Sequence, residues 1–192
     1  MPMSFDQTVI HFAAPTICGI KPANLFSVRR EFFSAPEFTR WKKALAERGI
    51  SADAVRSGRN IFLILVYNLR WLRKLLADSL VRSYMDGKGY GDCLTARETI
   101  VRLLGRLRDS SCFPHEVGIV LGYPVVDVME FERCGGRDCK YCGCWKTYSD
   151  VESARCCQCR FRECSCMCRK WFDEGYPLSR IIEEYKKAVE AA

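Results

Sequence analysis

The chain has 192 residues, 48% hydrophobic and 12% aromatic, with a formal net charge of +7. That composition supports a packed core and excludes a largely disordered chain. The positive balance suits an acidic partner, either an acidic redox protein or another protein, with nucleic acid as the weaker reading of the same charge.

The longest apolar run, Ile61 to Leu69, is interrupted at Asn68. It falls well short of the roughly 20 apolar residues that a membrane-spanning helix needs, so no membrane partner is expected. The first residues, MPMSFDQTVIHF, lack the basic-then-apolar pattern of a secretory signal. The expectation is a cytoplasmic protein with reduced thiols.

In chain order, the partly β-branched stretch Thr8 to Ala13 predicts a short strand, followed by a loop broken by Pro15, Gly19 and Pro22. A helix is expected to start near Pro22 and run through Leu25 and Phe26. Phe38, Trp41 and Leu45 follow a helical period over Glu37 to Arg48, and Gly49 stops it. The continuous apolar run Ile61 to Tyr67 reads as a buried strand. Leu72, Leu75, Leu76 and Leu80 then line one face of a helix at about Leu69 to Tyr84. After a loop at Gly87, Gly89 and Gly91, Thr95 to Arg108 predicts an amphipathic helix with Ile100, Leu103, Leu104 and Leu107 inward.

Phe113 to Glu132 reads as two short helices split at Gly122-Tyr123-Pro124. Trp145 to Tyr148 predicts a short strand, and Asp150 to Phe172 is helix-compatible though rich in cysteine. Gly175-Tyr176-Pro177 opens a last helix to Ala188. The expected fold is α+β: a small sheet of about three short strands (near 8–13, 61–67 and 145–148), about six helices, and a cysteine-rich C-terminal helical segment. A core domain at 1–133 and a cysteine-rich segment at 134–192, packed on that core, are the expected divisions.

Cysteine carries the strongest chemical signal. There are thirteen, ten of them between Cys134 and Cys168. An odd number without an export signal argues against a disulfide framework and for metal binding or redox chemistry. Cys139-x2-Cys142, then 13 residues, then Cys156-x2-Cys159 forms two paired knuckles. Two intervening residues let both sulfurs face one ion, and a structural zinc takes four such ligands. Cys139, Cys142, Cys156 and Cys159 are therefore the preferred ligands, with Cys144 and Cys164, then Cys166 and Cys168, in reserve. The surplus leaves an iron–sulfur cluster as the alternative cofactor, and plain buried thiols as the inert reading.

The helix pair around Gly122 could suggest a helix-turn-helix. Its second member, VVDVMEFE, presents acids where a DNA reader presents basic or amide groups. His11 and His115 are the only two histidines. Either could be a ligand, a general base or a packing residue. Phosphate loops, nucleophile elbows and catalytic carboxylate pairs are not recognisable. The leading expectation is thus a metal-binding protein, zinc or iron–sulfur, linked to metal or redox physiology. A nucleic-acid-binding module is one alternative. The other is a small-molecule or cofactor-binding protein or enzyme, with a pocket of His11, Lys21, Asn24, His115, Glu116, Tyr123 and Trp145.

Three segments carry a family resemblance: residues 11–26 (HFAAPTICGIKPANLF), 113–124 (FPHEVGIVLGYP) and 139–148 (CKYCGCWKTY). With them the chain resembles an uncharacterised family from anaerobic Gram-positive bacteria, a domain of unknown function. The resemblance implies that His11, Pro15, Gly19, Lys21 and Asn24 match the first motif. His115, Glu116, Gly118, Gly122, Tyr123 and Pro124 match the second, and Cys142, Gly143, Trp145 and Tyr148 the third. It further implies a common site for the two histidines with Cys142. The dense run Cys156, Cys157, Cys159, Cys166 and Cys168 is not typical of the family, so a zinc site using Cys156 and Cys159 would be particular to this protein.

Overall fold

A computed structural model describes residues 3–109 and 113–191. The architecture is α+β. Among the described residues there are nine α-helices, a three-stranded antiparallel sheet and a two-stranded hairpin. The chain forms two compact units: one runs through Tyr67 and resumes at Cys159, and the other is Asn68–Gln158. The compositional boundary at 133/134 falls inside the second.

The first unit opens with helix α1, Phe5–Ile17, where a strand was expected at Thr8 to Ala13. Ser4 and Gln7 decide it. The Ser4 hydroxyl accepts the Gln7 N–H, and the Gln7 side chain accepts the Ser4 N–H, a reciprocal cap that satisfies two orphan donors. Phe5, Val9, Ile10, Ala13, Ala14 and Ile17 then recur at helical spacing and are all buried.

Strand β1, Ala23–Arg29, replaces the helix expected from Pro22. Phe26 and Val28 point inward and Ser27 and Arg29 outward, the two-residue alternation of a strand. Helix α2, Ala35–Ala46, is capped by Ser34 and buries Trp41 and Leu45, as its periodicity requires. Strand β2, Ser51–Ser57, was not anticipated, because its Ser-Ala-Asp-Ala start carries little apolar signal. It flanks β3, Ile61–Tyr67, which lies at the centre in the order β1-β3-β2, antiparallel to both neighbours. The central place explains the unbroken apolar run of β3.

Residues from Cys159 onward add the later part of helix α8, Val151–Asp173, and helix α9, Leu178–Glu190. Cys164, Cys168, Ile181 and Tyr185 join α1, α2 and the sheet in one apolar core. Each fully buried side chain of the Ile10 or Leu45 kind contributes about 1.5–3 kcal/mol to that core.

The second unit begins with helices α3, Leu69–Leu75, and α4, Ser79–Met85, where one continuous helix was expected. The Asp78 carboxylate accepts the N–H groups of Leu80 and Val81 and so starts a new helix. A wider turn at Asp86–Tyr90, with Gly89 at φ 82°, leads to α5, Ala96–Asp109, which buries Ile100, Leu103 and Leu107. Helices α6, Val117–Val120, and α7, Val125–Cys134, are divided at Gly122, as the sequence indicates. Strands β4, Tyr141–Cys142, and β5, Lys146–Thr147, form the hairpin. Asp150 then accepts the Ser153 N–H at the start of α8. No helix among the described residues is long and apolar enough to cross a membrane.

Candidate metal centre

Three thiols of the first unit converge. The sulfurs of Cys18, Cys164 and Cys168 all lie within 4.8 Å of one another, with 3.5 Å between those of Cys18 and Cys168. Cys164 and Cys168 expose no surface. They stand four positions apart on α8, which puts them on one face a turn apart.

Cys18 ends α1, its N–H bonded to the carbonyl of Ala14, while the Gly19 N–H bonds to that of Thr16. The loop beyond it is pinned from both sides. The Pro15 carbonyl accepts the N–H groups of Ile20 and Lys21. The Asn24 side-chain oxygen accepts the Thr16 N–H at 3.2 Å and its hydroxyl at 2.7 Å, tying the start of β1 to the end of α1. Gly19, at φ 76°, makes the turn between them.

The three thiols do not share charge equally. Cys168 accepts hydrogen bonds from Cys164 and then Cys18, which bring its pKa down to about 5 against the cost of burial. Donation to Cys168, and then to Cys18, holds Cys164 far above the usual thiol range. For Cys18 the hydrogen bond with Cys164 favours the thiolate, but donation to Cys168 and burial outweigh it and raise the value. The positive charge of Lys186 also acts on Cys18. Tyr185 faces Cys164: burial first, and also a hydrogen bond to that sulfur, keep the phenol protonated. The arrangement is therefore one thiolate cradled by two thiols in a dry site, with a tyrosine hydroxyl alongside.

The family model for DUF3793, described as a protein of unknown function, matches residues 9–182. The chain belongs to the DUF3793 family. No curated protein and no solved structure matches it. All three converging cysteines lie within the matched stretch of this DUF3793 protein.

Among the described residues, this triad is the only group of three or more His, Cys, Asp or Glu donors so close together. Of the eight candidate ligands named from the sequence, Cys164 and Cys168, both in reserve, belong to it. Cys139, Cys142, Cys144 and Cys156 lie in the second unit and Cys159 in the first. Cys142, Cys144 and Cys156 are exposed, and the Cys159 thiol donates to Glu163 at 3.2 Å. Cys18 was absent from the candidate set, because nothing beside it in sequence marks it as a ligand. The Cys164-x3-Cys168 helical spacing was the available signal for the other two.

The expected histidine pocket divides between the units. His11, Lys21 and Asn24 belong to the first, and His115, Glu116, Tyr123 and Trp145 to the second. In the first, His11 has a buried Nδ1 without a hydrogen-bond partner, and burial, then the charge of Arg169, lowers its pKa. The Lys21 ammonium lies 5.3 Å from the centre of the Phe161 ring, and Asn24 holds Thr16 near the end of α1 as described.

In the second unit, buried Glu116 is held by the Arg106 guanidinium and the Tyr90 hydroxyl. His115, Tyr123 and Trp145 do share a cavity of about 250 Å³. Asp127, outside the candidate set, also lines that cavity. It is 1% exposed, and its carboxylate accepts the Trp145 indole N–H and the backbone N–H groups of Tyr148 and Ser149. It fastens the end of the β4–β5 hairpin to α7. Gly143 in that hairpin is equally constrained: a Cβ there would come within 1.7 Å of the Gln158 side chain.

Proposed function

We propose that this DUF3793 protein binds a single thiophilic metal ion, zinc first, at Cys18, Cys164 and Cys168, in the service of metal or redox physiology. The convergence of three sulfurs within 4.8 Å carries this reading. Zinc–sulfur bonds of about 2.3 Å at a tetrahedral centre place ligand sulfurs about 3.8 Å apart, close to the 3.5 Å between Cys18 and Cys168. An iron–sulfur cluster fits less well, since it spreads its thiolates over several irons and usually takes four. Three protein ligands leave a fourth position for an exchangeable one, the pattern of zinc sites that do more than hold a fold together. The charge of Lys186 near Cys18 offsets part of the anionic excess that three thiolates bring. Reduced thiols of this kind suit the cytoplasm.

The test is metal analysis of full-length protein purified without oxygen, followed by cobalt substitution. The expected result is about one equivalent of zinc and, with cobalt, an intense sulfur-to-metal charge-transfer band. Cys18→Ser, Cys164→Ser and Cys168→Ser should each remove most of both, and Cys139→Ser and Cys142→Ser should remove neither. The reverse pattern would return the site to the paired knuckles. Iron with equimolar sulfide would replace the single-ion reading by a cluster.

A further inference from the structure

Half of the residues that wall the cavity of the second unit carry rings. Phe113, His115, Tyr123, Phe131 and Trp145 line it, together with the Lys146 side chain. The rings brace one another: Tyr123 and Trp145 stack with centres 4.9 Å apart, and His115 meets Phe131 edge-on at 5.1 Å. Burial, then the charge of Cys144, pushes the Tyr123 phenol up to about 12, so that wall is neutral at physiological pH. A slot of this kind takes a flat apolar body. Its volume of about 250 Å³ is just below the range of pockets for drug-sized ligands, which limits the body to one or two fused rings.

The charged groups decide the sign of the ligand. Asp127 reaches the cavity, but one of its oxygens accepts the Trp145 N–H and the other the N–H groups of Tyr148 and Ser149. It is occupied in holding the hairpin and is a poor anchor for a cation. Lys146 is different. Its ammonium donates to the Gly136 carbonyl and stands 5.9 Å from the Phe131 ring centre. An ammonium has three donors, so that bond does not exhaust it. The His115 imidazole adds a second polar group to the lining.

We propose that this cavity binds a flat aromatic carboxylate, with its rings against Tyr123, Phe131 and Trp145 and its carboxylate on Lys146. The cavity lies wholly in the second unit and the cysteine triad wholly in the first, so the two proposals stand or fall separately.

The experiment is a nuclear magnetic resonance titration of the isotope-labelled full-length protein. The probes are benzoate and indole-3-carboxylate, each against its neutral amide, with benzylammonium as the cation. The expected result is a set of shifts centred on the Trp145 indole N–H, Gly118 and Lys146, and carboxylates that bind about fivefold tighter than the amides, as a partly exposed ion pair provides. Lys146→Met, at a partly exposed position, should erase that preference while leaving the rest of the spectrum in place. If that variant misfolds, the carboxylate–amide comparison in the unaltered protein decides alone. Equal affinity for acid and amide, tighter binding of benzylammonium, or no cavity shifts at roughly 5 mM ligand would each overturn the proposal.

Discussion

Hydrogen bonds from Cys164 and Cys18 favour the thiolate at Cys168 over the other two sulfurs before any ion arrives. An ion at this site needs all three sulfurs ionised. At pH 7 it must therefore displace two protons, those of Cys18 and Cys164. Calorimetry in buffers of different ionisation enthalpy should report about two protons released per zinc, with apparent affinity rising about a hundredfold per pH unit near neutrality. Below about pH 5 Cys168 is protonated too, and the slope should steepen to three. A value near zero at pH 7 would mean that the ion binds elsewhere. Asp127 makes a second prediction at this scale. Asp127→Ala leaves an indole N–H and two backbone N–H groups without an acceptor, and should cost about 3 kcal/mol by urea unfolding, with a red shift of tryptophan emission. Asp127→Asn, which keeps an oxygen in place, should cost less.

Among the elements, those with one strong internal period were legible: the unbroken apolar run of β3, the inward leucines of α5, and the Gly122 break between α6 and α7. In the first thirty residues the local signals run opposite to the fold, a helix at Phe5–Ile17 and a strand at Ala23–Arg29. Thr8, Val9 and Ile10 carry β-branched side chains that favour a strand locally, but the Ser4–Gln7 cap and the buried stripe from Phe5 to Ile17 outweigh them. In β1 the alternation sits in only four residues, Phe26 to Arg29, too short to displace a helix-start reading at Pro22. The triad was hidden for a different reason. CxxC pairs are local and visible in any sequence, whereas Cys18 and Cys168 are 150 positions apart and meet only through the fold. The same element logic yields a test. Ser4→Ala should destabilise the first unit by about 1 kcal/mol and weaken zinc retention, since α1 carries Cys18; Ser4→Asp should restore both.

At the scale of the whole molecule, the division into two units separates the two chemistries. Ligands of the triad belong to one unit and walls of the aromatic cavity to the other. Zinc that binds only the folded first unit stabilises it by about 2.7 kcal/mol at a hundredfold excess over its dissociation constant. Hydrogen exchange should then slow at α1, β1 and α8 from Cys159 to Asp173 on adding zinc. Amides of α5 and α7 should be unchanged. Protection of equal size throughout would mean that the two units unfold together.

The interruption of the first unit also has a temporal side. Cys168 leaves the ribosome 150 residues after Cys18, an interval of roughly 8–30 s at ordinary rates of synthesis. Residues 68–158 are complete within that interval, while α1 and the sheet still lack α8 and α9. Cys18 thus waits on the nascent chain as a thiol without its partners, and the proposed ion can be captured only once Cys164 and Cys168 have been made. Metal loading at the proposed site would then follow the synthesis of α8, and a chain truncated before Cys164 would carry no such site to load.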